Sequence, residues 1–200
     1  RQGLDLNQEG QTGGPDDAWG FGLFPGQYGM VIYSKYPIAR DRVRTFQHFR
    51  WQDMPGNHLP TDYYTPEQAA QLRLSSKSHW DVPVRVGHRT VHVLAAHPTP
   101  PSFDGPEDRN GRRNNDEIRF WSDYVTGNRT ARYIYDDAGR HGGLPRGERF
   151  VIVGDYNSDP NDGDSFPGAA RQLLDNSRLR DPQPTSKGAV VASARQGGAN

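Results

Sequence analysis

The chain has no cysteine. Disulfides, thiolate metal sites and a cysteine nucleophile are therefore excluded, and packing and hydrogen bonding must hold the fold alone. It also has no net charge, because 24 Lys and Arg balance 24 Asp and Glu. A protein that grips long nucleic acid through bulk electrostatics needs surplus cations, so nucleic acid is a partner the composition does not favour, although a local basic patch is compatible with it. No apolar run approaches the ~18 residues that a membrane-spanning helix requires, so no membrane partner is expected. No leader peptide is visible, and the chain starts at Arg1 instead of Met, as a processed or truncated product would. Apolar residues are scarce at 32%, while Gly (23) and Pro (16) are plentiful. Four Trp, nine Tyr and eight Phe still supply anchors for a core. Together these features describe one loop-rich folded domain over residues 1–200.

The chain contains no internal repeat. Residues 1–27 read as irregular. Gly29-Met30-Val31-Ile32-Tyr33-Ser34, closed by Tyr36-Pro37, is a short β-branched run that reads as a buried strand, and residues 41–50 alternate loosely as a second. Thr65 before Pro66 predicts a capped helix through Leu72. His79 to Val86 and Thr90 to Ala96, joined by Gly87-His88-Arg89, predict a hairpin. Antiparallel pairing then sets opposite each other residues whose numbers sum to about 175. Lys77, Ser78 and His79 are thereby brought to the sheet end that carries His97. Asn115 to about Thr126 predicts a helix with Ile118, Trp121 and Val125 on one face and Gly127 as its stop. Arg149 to Gly154 is another buried strand, and Ala169 to Leu174 a short helix, after which the pattern fades. Strands and helices alternate with hairpins mixed in, so the fold class is α/β or α+β with a mixed sheet.

Two strand ends carry chemistry. Gly154-Asp155-Tyr156-Asn157 follows an apolar strand directly. Glycine lets the chain leave the sheet close to a ligand. Asp155 and Asn157, two apart, can share a pocket in which a carboxylate handles a water and an amide holds a phosphoryl oxygen or a metal. The competing reading is an ordinary Asx turn. His97 ends Leu94-Ala95-Ala96 before Pro98, where an imidazole can bond a phosphate oxygen or simply the nearby backbone. Lys77 and His79 join it through the hairpin register. Arg109, Arg112 and Arg113, in the segment after His97, are forks suited to phosphate, and Asn115 is either a ligand or a helix cap. Trp51, Trp80 and Trp121 read as core.

These segments together resemble the endonuclease/exonuclease/phosphatase superfamily, which includes deoxyribonucleases, base-excision endonucleases and sphingomyelinases. Tyr28 to Ile38 looks like a strand of that superfamily, His92 to Pro98 its histidine strand, Asn115 to Val125 the helix that follows, and Phe150 to Asn157 its Gly-Asp-x-Asn strand end. Phe24-Pro25-Gly26-Gln27-Tyr28 and Leu74 to Asp81 also look like a secreted bacterial subgroup, which implies an extracytoplasmic location. The resemblance implies mixed sheets packed as a sandwich flanked by helices. It implies hydrolysis of a phosphate ester (mono- or diester) by in-line attack of water, assisted by Mg²⁺ or Mn²⁺. In it Asp155 handles the water, Asn157 holds the phosphate or the metal's shell, and His97 contacts the phosphate. Lys77, His79, Arg112, Arg113 and Asn115 are its candidate substrate contacts.

The resemblance also sets expectations about what is missing. A metal-binding Glu would precede Gly29, and an Asp-His pair would follow the Gly-Asp-x-Asn strand. Neither is present, and the chain closes on Gln196-Gly197-Gly198-Ala199-Asn200. Terminal strands are thus expected to lie on companion segments of a parent chain, with bare sheet edges and little hydrolysis without them. Asp5, Asn7, Glu9 and Asp16 approximate a calcium loop with ligands at positions 1, 3, 5 and 12 and Gly10 at position 6. Two readings stand beside the phosphoesterase: a calcium-stabilised binding domain that has lost catalysis, and a deoxyribonuclease.

Overall fold

A computed structural model describes residues 3–196; the termini at Arg1-Gln2 and Gly197–Asn200 lie outside the described residues. Its centre is one mixed sheet of four strands in the order β1 (Arg44–Thr45), β2 (His79–Val86), β3 (Arg89–Ala96) and β4 (Arg149–Val153). β1, β2 and β3 are antiparallel neighbours, whereas β4 runs parallel to β3. The hairpin register runs from His79 opposite Ala96 to Val86 opposite Arg89. The two-residue turn needs a left-handed backbone, which Gly87 supplies at φ 59°.

A parallel pair needs a crossover, and α2 (Arg109–Thr126) provides it. Ile118, Phe120, Trp121, Tyr124 and Val125 of α2 are at most 1% exposed and cover one face of the sheet. Phe46 meets Phe120 and Trp121 edge to face, at ring separations of 5.1 and 6.0 Å, and Trp51 and Met54 complete the core. Such offset aromatic contacts compensate for the low apolar fraction, since each ring buries a large area. α1 (Pro66–Gln71) begins as expected: Thr65 accepts from the Gln68 amide at 3.2 Å, and Gln68 reaches back to the Thr65 amide at 2.8 Å.

Several expectations are corrected. No strand forms at 29–34, where Val31 is 67% and Tyr33 91% exposed. A strand requires a ladder partner, and the free edge of β2 is already used. Ala39 donates to Pro83 O and Arg85 to Pro37 O, both at 2.9 Å, and β1 takes the rest of that edge. Only Arg44–Thr45 of 41–50 is strand. A second sheet, and with it a sandwich, is not formed among the described residues. α2 starts six residues before Asn115, because the polar run 109–114 is helical and largely buried. α3 is only Arg171–Leu174, and an unanticipated, wholly surface-lying helix α4 (Lys187–Gln196) follows. No described helix is long and apolar enough to cross a membrane.

His79 is the clearest correction of position. It pairs with Ala96, as the sum of about 175 requires, and alternate residues of a strand face opposite sides, so it shares the face of Ala96. Its ring therefore enters the core, 1% exposed, with Nδ1 at 2.7 Å from Ser75 Oγ and Nε2 at 2.9 Å from Glu117 O. Burial lowers its pKa from the ordinary 6.5, with Glu117 opposing. The unfolded chain thus binds a proton that the folded chain refuses, and stability falls as pH drops from about 6.5 towards the folded value. Denaturant melts between pH 7.5 and 5 are expected to show a shallower acid loss in His79→Gln than in the parent; parallel curves would refute this.

Candidate active site

The crossover topology decides where a site can form. Parallel strands release their carboxyl ends at the same edge, so the loops after β3 and β4 are neighbours. The ladder ends with Ala95 opposite Val153, so His97 and Asp155 each lie two residues past that last pair, at the ends of neighbouring strands. His97 is half-buried and Asp155 exposed, whereas Ala96, the last residue of β3, is buried.

Gly154 makes the approach possible. It has φ 136°, and a Cβ there would lie 1.8 Å from Ala96 O. Beyond it, Asp155 accepts the Asn157 amide at 3.0 Å, closing an Asx turn with Asn157 left-handed at φ 48°. Asn157 Nδ2 donates to Pro98 O at 3.1 Å and so ties the β4 loop to the β3 loop. Its Oδ1, one Asp155 oxygen, the His97 ring and Lys77 Nζ have no hydrogen-bond partner among the described residues.

Two buried side chains of α2 hold these loops from behind. Asn114, 0% exposed, donates Nδ2 to Thr99 O at 2.8 Å and Tyr156 O at 2.9 Å. Glu117, also 0% exposed, accepts from Ser76 N at 2.7 Å and Thr99 N at 2.6 Å. One carboxylate thus joins the segment before β2 to the segment after β3, and Ser76 Oγ adds a bond to His97 O at 3.4 Å. Sequence reading left Asn114 open as a helix cap or a ligand and overlooked Glu117. The available signal was the stripe Ile118–Trp121–Val125: extended one turn back it reaches Asn114, and Glu117 lies beside it.

Lys77, His97 and Asp155 feel one another's charge. Burial lowers the His97 pKa from 6.5, the Lys77 charge adds to this, and Asp155 and Glu117 oppose it. Burial also lowers Lys77 from its ordinary 10.5; Glu117 and Asp155 oppose this, while Arg113 adds to it. The set presents a neutral imidazole, a half-buried ammonium and an exposed carboxylate on one surface. It can donate hydrogen bonds to an anion while offering oxygen to a water or a cation.

The remaining sequence candidates are placed elsewhere. Arg113 is buried, donating to Leu74 O, Arg73 O and Trp19 O. Asn115 is held by His58, Asp116 and Gln172. Arg112 lies near Asp108 at the start of α2, and Arg109 pairs with Glu107. The calcium loop is not assembled. Asp5 uses its carboxylate on the amides of Glu9 and Gly10, at 3.1 and 2.7 Å, while Glu9 and Asp16 are exposed. The buried acid there is Asp17, which accepts from Leu6 N and Gly14 N, each at 2.8 Å. Trp51 and Trp121 are core, but Trp80 is only half-buried.

Residues 2–198 match the profile of the Endonuclease/Exonuclease/phosphatase family, and the chain belongs to that family. Its members are in general metal-dependent phosphoesterases and nucleases, so the reaction class is hydrolysis of phosphate esters. Comparison with curated proteins and with solved structures returned no match.

For a divalent cation the chain offers the free oxygens of Asp155 and Asn157, both hard donors. No group of three His, Asp or Glu suited to a metal occurs among the described residues. The family typically uses divalent metals. Mg²⁺ is commonly held by one or two carboxylates, with waters and substrate phosphate oxygens completing its shell, whereas Ca²⁺ takes six to eight oxygens.

Proposed function

We propose that the chain hydrolyses a phosphate ester by in-line attack of water at the carboxyl ends of β3 and β4. The observation that supports this reading is the parallel pairing of β3 with β4, which releases the segments carrying His97 and Asp155 at one edge of the sheet, where Gly154 closes on Ala96 O. Asp155 orients the attacking water and draws its proton. His97, neutral at working pH, donates a hydrogen bond to a non-bridging phosphoryl oxygen. Lys77 offsets the negative charge that gathers on the phosphoryl group and the departing alkoxide. Asn157 and Asp155 would hold the cation, which supplies charge neutralisation when bound.

The net charge of zero and the burial of Arg113 leave little cationic surface for tracking a duplex, so small esters are favoured over long nucleic acid. Turnover of p-nitrophenyl phosphate or its bis ester in Mg²⁺ is the direct test. Chelator is expected to abolish it, and added Mg²⁺ or Mn²⁺ to restore it; turnover indifferent to chelator would sink the mechanism.

A further inference from the structure

A cavity of about 800 Å³ has Lys77 in its lining. One wall is the segment leading into β2, with Arg73, Lys77 and Trp80; the other is the irregular 18–30 arch, with Trp19, Phe21 and Phe24.

Its floor is cationic. Neither Arg73 nor Lys77 forms an ion pair among the described residues. Arg73 is 8% exposed, donates one bond to Ser76 O at 2.9 Å, and has no partner for Nε or Nη1. Its pKa, pulled down to about 10 by burial, still leaves it charged at neutral pH.

Its walls are flat and aromatic. Trp19 is pinned by a bond from Nε1 to Gln71 O at 3.0 Å and lies 4.8 Å over the Arg73 guanidinium. Phe21 and Phe24 are 50% and 62% exposed. Exposed rings grouped around one opening gain free energy when a ligand covers them.

The cavity and the site have Ser76 and Lys77 in common. Ser76 lines the cavity and bonds His97 O, and Lys77 both lines it and feels the Asp155 charge.

We propose that this cavity receives the alcohol portion of the substrate, and that this portion carries a flat aromatic or heteroaromatic ring. The inference rests on the phosphoesterase reading, because the ester oxygen must leave from the side opposite the attacking water. Lys77 stands at the mouth, where that oxygen would emerge. A volume of about 800 Å³ lies in the range of small-molecule pockets and would be mostly empty around a glycerol-sized alcohol. Stacking on the Trp and Phe faces, over a cationic floor, selects a planar group over a flexible chain.

The test is equilibrium binding to the full chain in chelator, which separates binding from turnover. Adenosine 5′-monophosphate and ribose 5-phosphate share the phosphate and the 5′ oxygen and differ by the ring. The nucleotide is expected to bind at least about tenfold more tightly, the scale of one stacked base. The double variant Phe21→Ala, Phe24→Ala should shrink that preference to about threefold or less while leaving the ribose 5-phosphate Kd unchanged. Its side chains are exposed, so folding is retained. Equal affinities in the parent chain, or a preference untouched in the variant, would overturn the inference. A ring-selective chain that never hydrolyses any ester in Mg²⁺ would instead overturn the functional reading, and a hydrolase blind to the ring would overturn only the inference.

Discussion

Replacing Asp155 with Ala is expected to lower kcat by about a hundred- to a thousandfold, the scale of losing one preorganised group at the reacting centre. The same variant should melt within about 2 °C of the parent. The reason lies in its setting. Asp155 is exposed, and its one intramolecular bond is the 3.0 Å contact with the Asn157 amide. Water can replace that acceptor at little cost, as for most surface substitutions. Asn157 also stays tied to Pro98 through its own Nδ2. Activity and stability should therefore separate cleanly. Near-normal turnover in Asp155→Ala would remove the central residue from the mechanism. A large fall in melting temperature would show the side chain to be a strut.

Glu117→Ala should give the opposite pattern, in which stability and activity fall together. The carboxylate is 0% exposed and satisfies two backbone amides, Ser76 N and Thr99 N. Truncation strands both donors out of reach of solvent, and each orphaned group costs about 1–3 kcal/mol. A loss of several kcal/mol is a large share of the ~5–15 kcal/mol that holds a typical domain together. It also leaves the buried cations Arg73 and Arg113 without the negative charge that supports them. Glu117→Gln keeps an acceptor for one amide and should recover part of the loss. Urea unfolding of the three proteins, alongside kcat and KM at a temperature where each is folded, reads both effects. A Glu117→Ala protein as stable as its parent would refute the clamp. An intact Glu117→Ala fold with unchanged kcat would deny it any positioning role.

The sequence disclosed those parts of the fold that local chemistry settles. The hairpin register follows from one glycine and two alternating runs, and the Thr65 cap from three residues. The Gly154-Asp155-Tyr156-Asn157 strand end was legible because only glycine tolerates the backbone found there, with Ala96 O so close. Elements that depend on distant partners were not legible. Gly29 to Ser34 has the composition of a strand, but its pairing depends on which segment claims the edge of β2. His79 was carried to the right partner, Ala96, but its ring turns into the core instead of towards a site. Glu117 escaped notice, and Asn114 was left between cap and ligand, because polar residues in a helix are ordinarily read as solvent-facing. Their burial becomes sensible only once the loops whose backbone they satisfy are in place.

The 18–30 arch is held differently from the loops that α2 clamps. Around it few main-chain bonds reach the rest of the chain, and Phe21, Leu23 and Phe24 are at least half exposed. Substitutions at Phe21, Leu23 and Phe24 therefore carry little thermodynamic penalty, whereas changes at Gly154, Asn114 or Glu117 carry a heavy one. Descendants of this chain can retune what they accept while conserving how they react, because the two properties are written in parts of the molecule with unequal tolerance to mutation.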